Sequence, residues 1–280
     1  MLKRFLIVNG DDFGESQSVN QGIISAYGKG ILRSASVLAG GEYFSEAVEL
    51  RAKNPGLDVG LHLALTDIEP TAPKERVACL LNKQGRFFSG YIELFTKIVL
   101  GRVKLDMVRR EWNAQAERFL NAGFAPTHLD SHRHIHLFPP LLNIFIEIAV
   151  AYKFKCVRIP LEARGLSPLY PSDSLRISLI LPFAVAGKRK IATAGLKSAD
   201  NFAGLARSGT QTEESLENII KNLKPGVTEL MVHPGAQDEP EIKYFRKTEL
   251  NALASPRLKE ILEKEGIQPA SFAQYGDNLP

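Results

Sequence analysis

Cysteine is scarce: Cys79 and Cys156 are the only two in 280 residues, and they stand far apart with no CxxC spacing. This excludes a disulfide framework and a cysteine-based zinc site, and it fits a reducing, cytoplasmic setting. Long apolar runs are also missing. The first apolar stretch, Phe5 to Val8 after Lys3 and Arg4, is too short for a signal peptide. Leu141 to Val150 and Leu175 to Ala186 fall well below the roughly 20 residues of a membrane span, and Glu147 and Pro182 interrupt them. No transmembrane segment is expected. Charge of one sign is in short supply as well: 35 basic residues against 31 acidic ones leave +4, spread along the chain. A nucleic-acid partner is therefore not expected. The one dense basic run, Lys188-Arg189-Lys190, reads as a solvated helix face. Internal repeats and low-complexity segments are absent.

What the chain does have is an alternation of short apolar runs with amphipathic helical patterns, the signature of βα units around a parallel sheet or barrel. Phe5 to Asn9 reads as the first strand, ending in the loop NGDDFG, with a helix over Ser18 to Gly28. Ala35 to Leu38 and the helix Ser45 to Lys53 form a second unit, stopped by Asn54-Pro55-Gly56. Val59 to Leu65 is a third strand and His128 to Asp130 a fourth, followed by a helix from Pro139-Pro140 to about Tyr152. Val157 to Ile159, Asn201 to Leu205 and Glu229 to Val232 are further strands. Residues 66–104 lack clear periodicity, and this insertion between the third and fourth strands is expected to shape a substrate site. Asp106 to Asn121 resumes a helix, with Met107, Trp112, Ala116, Phe119 and Leu120 on one side.

The histidines carry the most information. All six fall in three short segments, GLHLAL, THLDSHRHIHLFPP and MVHPG, each near the C-terminal end of a predicted strand. Barrels of parallel strands place catalytic groups there. Strand parity sharpens the picture: Val59, Leu61, Leu63 and Leu65 alternate with His62, so the apolar set faces outer helices while His62 points inward. The same count puts His128, Asp130 and His132 on one side and turns His233 inward. One carboxylate and two imidazoles converging from separate strand ends suit a catalytic divalent ion, and Asp12, His62 and His132 fill those roles. Imidazole favours Zn2+, whereas a carboxylate with several waters accepts Mg2+ or Mn2+. Bland alternatives stand beside each assignment. A lone strand histidine is more often a core residue, and Asp11-Asp12 could be a turn with Asp12 capping the next helix. That helix, however, starts only near Ser16 or Ser18, which leaves both carboxylates free. Asp130 and Arg158 could orient a histidine and Asp11 respectively, or form an ordinary buried ion pair. Of His134 and His136, one reads as a contact behind the ligands or to substrate, the other as a surface residue near Phe138.

NGDDFG at 9–14, GLHLALT at 60–66, THLDSHRHIH at 127–136 and VHPG at 232–235 together resemble the YdjC-like carbohydrate deacetylases, in order and approximate spacing over nearly the whole chain. The resemblance implies a distorted (β/α) barrel of parallel strands, one domain over 1–280. It implies a metal on Asp12, His62 and His132, and hydrolysis of an N-acetyl group by metal-activated water, with Asp11 as base and His233 as acid. His128, Asp130, His134 and Arg158 are expected around that centre, behind the ligands or against substrate. The implied partner is an acetylated amino sugar in an oligosaccharide or a glycolipid, and the implied assembly a homodimer. DNFAGLARSGTQTEE, with TELMVHPG after it, is somewhat more similar to the hopanoid-biosynthesis-associated branch than to chito-oligosaccharide deacetylases. Two alternatives stay open from the residues alone: another metal-dependent hydrolase, such as a phosphoesterase, and a metal-stabilised glycan-binding module without turnover.

Overall fold

The structure, a computed structural model, describes residues 3–162, 171–242 and 244–277. Its first half runs β1 (Arg4–Phe13), α1 (Gln17–Lys29), β2 (Ser34–Val37), α2 (Phe44–Lys53), β3 (Asp58–Leu63), α3 (Tyr91–Val99), α4 (Leu105–Asn121), β4 (His128–Ser131) and α5 (Pro139–Ala151). The second half runs β5 (Cys156–Val157), α6 (Pro171–Thr193), β6 (Asn201–Ala203), α7 (Glu213–Lys221), β7 (Gly226–Val232), α8 (Arg246–Leu253), α9 (Pro256–Lys264), β8 (Ile267–Ala270) and α10 (Phe272–Asp277).

All eight strands pair in parallel, in the order β5-β4-β3-β2-β1-β7-β6, with β8 on β1. One edge of β1 is shared: Arg4 to Ile7 pair with β8, and Asn9 to Phe13 with β2. At the far edges isolated bridges, Cys156 with Lys197 and Glu162 with Phe202, bring the β5 and β6 sides together. The result is the expected distorted (β/α) barrel. β1 is buried along nearly its whole length, as parallel strands covered by helices on the outside and by neighbours within must be. The strand runs four residues beyond its expected end at Asn9, so both aspartates belong to it.

Two close approaches fix the barrel locally. A Cβ on Gly60 would lie 2.4 Å from the His128 carbonyl oxygen and 2.5 Å from its ring, so β3 and β4 can pair here only around a glycine. A Cβ on Gly22 in α1 would lie 2.3 Å from Gly235, which lets the helix press against the loop after β7.

The insertion is more ordered than its composition suggests. It contains α3, whose Leu94 and Ile98 are buried, and it is bolted to α4 by the buried Glu111, with the buried Gln115 holding Ala64 just after β3. Glu111 accepts from the Thr71 and Ala72 backbone N–H groups at 2.8 and 3.0 Å and from Gln115 at 2.7 Å. Gln115 bonds both the N–H and the carbonyl of Ala64. Both lie on the same helical stripe as Val108, Trp112, Ala116 and Phe119. Among the described residues, no helix is long and apolar enough to cross a membrane.

Candidate active site

The C-terminal ends of β1, β3, β4 and β7 open into a cavity of about 870 Å³, lined at its polar end by Asp11, Asp12, His62, His132, His233 and Arg246. Two of these come from adjacent positions on β1. Consecutive side chains in a regular strand point to opposite faces, but the β1–β2 register breaks between Gly10 and Phe13, and Asp12 adopts φ 67°. This bulge brings both carboxylates to the cavity.

Asp12 Oδ1 lies 3.1 Å from His132 Nδ1 and 3.5 Å from His62 Nε2, with the two rings edge-on at 5.6 Å. Each of the three residues offers one ligand atom, all within 4.8 Å of one another. The remaining His62 nitrogen, Nδ1, lies 2.7 Å from Asp130 Oδ1, because β3 and β4 pair His62 with Asp130 in register. Burial pushes both imidazoles down, yet neighbouring carboxylates outweigh it. Asp130, Asp11 and Asp12 raise His62, and Asp12 with Asp67 raises His132 to about 10. Burial alone would likewise raise Asp12, but His132, Arg246 and His233 hold it well below the usual carboxylate range. The donor set therefore fits a divalent cation: two imidazoles and an ionised carboxylate converge where the surrounding charge is negative.

A second group, Asp11, His62 and Asp130, also has metal-like spacing among the described residues. It already has its cation. The fully buried Arg158 holds both oxygens of Asp11 at 2.6 and 2.7 Å, Asp130 at 2.9 Å and Glu229 at 2.6 Å. Behind it, Ser36 Oγ donates to Asp130 at 2.8 Å and accepts from Asn9, which also donates to Asp11. That leaves one lone pair of Ser36 Oγ for His128 Nε2, 3.1 Å away, so this nitrogen is the donor. His128 stacks on Phe272 at 4.1 Å and does not line the cavity.

The chain turns sharply after β4. Arg133 and His134 take φ 55° and 54°; His134 lines the cavity, while His136 is returned to the interior. His136 was expected as the surface member of the pair if His134 took the inner role. Instead it is fully buried, 2.6 Å from Ser131 Oγ, 3.1 Å from the Arg158 carbonyl and stacked on Phe145 at 4.4 Å. Two left-handed residues in succession are what the sequence pattern could not reveal.

His233 follows β7 directly. Its backbone N–H donates to Glu249 at 2.6 Å, and its ring meets the Tyr244 ring edge-on at 5.2 Å. Burial pushes His233 down to about 4 and His136 to about 3, from an ordinary 6.5. Folded values below the unfolded one mean stability that is complete above pH 6.5 and lost as pH falls toward those values. The expected loss is about 1.4 kcal/mol per pH unit for each histidine. Urea midpoints between pH 7.5 and 4.5 measure it, and His136→Gln should reduce the slope; an unchanged slope in that variant would show that His136 is not held neutral.

Several site residues were not anticipated. Arg246, the first residue of α8, donates to Asp12 Oδ2 at 3.1 Å and to Glu15 at 2.8 Å. Glu249 receives the Gln211 and His233 N–H groups, and Glu229 faces Arg158. Asp67 stands beside His132. Of these only Glu229, a charge inside the apolar strand GVTELMV, and Asp67, directly after GLHLALT, carried a local signal.

A sequence model described as YdjC-like protein matches residues 5–264. Among curated proteins, the carbohydrate deacetylase of Thermoanaerobacter pseudethanolicus is 31% identical over 97% of this chain and 94% of its own length. The human carbohydrate deacetylase is 31% identical over 98% and 92%, and the chitooligosaccharide deacetylase of Salmonella typhimurium 31% over 97% and 99%. Among solved structures, a protein of Enterococcus faecalis V583, provisionally described as a cellobiose-phosphate cleavage protein, superposes with a TM-score of 0.77 and 26% identity. The match covers 98% of this chain and 99% of that one.

Proposed function

The chain belongs to the YdjC-like protein family, and from that premise we propose that it is a carbohydrate N-deacetylase working with one divalent ion, zinc or magnesium, on Asp12, His62 and His132. The observation that carries this is the convergence of that donor set with Asp11 and His233 on one cavity, in a chain similar end to end to curated carbohydrate deacetylases. When bound there, a divalent cation supplies Lewis-acid polarisation of an amide carbonyl and a lowered pKa for water. One ion suffices, since Arg158 fills the neighbouring cluster.

The protein's own groups supply the proton traffic. Asp11 accepts hydrogen bonds from Arg158 twice and from Asn9 once, which leaves part of its lone-pair capacity for a water proton. Water oxygen bonds to the acetyl carbon as that proton leaves. The C–N bond then breaks, and nitrogen departs readily only if protonated. His233 rests neutral, so the proton that water gave to Asp11 passes on to His233, which delivers it to nitrogen as the C–N bond breaks. Acetate and a free amine result.

The far wall of the cavity favours a glycolipid over a wholly polar oligosaccharide. Tyr91, Phe95, Phe138, Leu179 and Phe183 line it, and Leu179, Phe183 and Tyr91 remain 63, 44 and 42% exposed. Apolar surface held open beside a polar centre suits a ligand with an apolar portion. Mass spectrometry of matched substrates tests both levels: loss of one acetyl group is expected, faster from an N-acetylglucosaminyl lipid than from a chito-oligosaccharide. Equal rates would remove the glycolipid preference. Release of phosphate or cleavage of a glycosidic bond, with no loss of acetyl, would reject deacetylation.

A further inference from the structure

Every ligand histidine needs its second nitrogen fixed, since the group on that nitrogen sets both ring orientation and tautomer. For His62 the barrel supplies it, through Asp130 on the adjacent strand. For His132 no barrel residue among those described does. Its Nδ1 faces Asp12, and its Nε2 faces Asp67 Oδ2 at 3.5 Å. Asp67 comes from the insertion.

We infer that Asp67 is a positioning residue for His132, so that the insertion, rather than the barrel, orients one of the metal ligands. Three further features bear on this. Asp67 is itself held on both sides: its N–H donates to the Phe88 carbonyl beside the Thr66–Phe88 bridge, and its Oδ2 accepts from Arg133 Nε at 2.8 Å. Its backbone is strained, with φ 68°, and four of the six non-glycine residues with positive φ among those described are Asp12, Asp67, Arg133 and His134. Such backbone is kept where the surroundings over-determine it, and it clusters at functional sites. Finally, the clamp of Glu111 on Thr71 and Ala72 anchors the same arm to α4 a few residues downstream. A carboxylate on an anchored arm restrains the His132 ring from its Nε2 side, while Asp12 meets it at Nδ1.

The inference rests on Asp12, His62 and His132 being the ligands, and the test separates the two. Chelator-treated protein is titrated calorimetrically with Zn2+ alone. Asp67→Ala should weaken binding about 10- to 100-fold. Asp67→Gly, which accepts φ 68° without strain and so preserves the fold, should do the same. Asp67→Asn keeps an acceptor and tolerates the left-handed region, so it should recover part of the loss. Glu69→Ala, on the same arm but paired with Lys74 and Arg86, should leave affinity unchanged. If Asp12→Ala loses Zn2+ while Asp67→Gly binds like wild type, the role of Asp67 is overturned and the ligand set stands. If Asp12→Ala also binds like wild type, the ligand set falls and Asp67 with it. A loss in Glu69→Ala equal to that in Asp67→Gly would reduce Asp67 to general support of the arm.

Discussion

Asp11→Asn is expected to retain its fold and its metal yet lose kcat by at least about 10²-fold, with no recovery when metal is added. Asparagine keeps the shape of the side chain and can still accept from one Arg158 nitrogen, but it cannot take a proton. Asp12→Ala should behave in the opposite way: metal affinity falls strongly, and activity returns in part with excess metal, because the chemistry survives once the ion is forced into place. The contrast follows from the bulge in β1. It gives neighbouring carboxylates separate surroundings, Asp11 gripped on both oxygens by the Arg158 guanidinium with an amide beside it, Asp12 against two imidazoles with Arg246 on its other oxygen. Metal titration, expected to show one ion per wild-type chain, run beside acetate-release kinetics on both variants decides the matter. Metal loss in Asp11→Asn with retention in Asp12→Ala would reverse the roles. Wild-type turnover in either would remove that residue from the mechanism.

Arg158→Met is expected to destabilise the protein by about 3–5 kcal/mol and to abolish activity. The guanidinium is the common partner of three buried carboxylates, Asp11, Asp130 and Glu229. Even with it present the cluster is short of positive charge: burial, with Asp130 and Asp11 nearby, pushes Glu229 up to about 7 against the pull of Arg158. Taking the cation away leaves buried charges with no partner, which is the costly way to break an ion pair. Arg158→Lys should fall between the two, because an ammonium is a point charge that cannot grip Asp11 with two parallel bonds while reaching Glu229. Urea unfolding in chelator gives the values. A loss under about 1 kcal/mol in the methionine variant would mean that the carboxylates find protons or other partners, and that Arg158 is not the hub of the site.

Much of this was legible from residue order. Parity alone turned His62 inward and set His128 and Asp130 on one face, because both strands are regular at those positions. Regularity was also the limit. Asp12 lies in a strand that was read as having ended, and the break there depends on an extra residue in the pairing with β2, which one strand's sequence does not display. Which of His134 and His136 would lie at the surface was open in the sequence, and neither does so in the expected way, since the chain leaves the extended period once Arg133 and His134 turn left-handed. β8 was missed because IQPA buries only its two end residues and contains a proline. α3 did carry a helical pattern, with Leu94, Phe95 and Ile98 spaced for one face, but it was hidden among the prolines and glycines of the insertion. Arg246 and Glu249 reach the site through α8, which packs on α1 and α7, and no local signal marks them.

The bulge at Asp12 makes this active site unequally sensitive to two kinds of genetic change. A substitution at Gly10 or Phe13 alters packing but keeps the count of residues, so Asp12 still faces the histidines. Removing one residue from NGDDFG would restore the period of two and present at most one carboxylate to the cavity, however conservative the remaining sequence. Length at this point is thus a stricter requirement than composition. Among descendants of this chain, loss of catalysis through a frame-preserving single-codon deletion in β1 would leave a barrel that still folds around Arg158, with its ligand and its base reduced to one shared side chain.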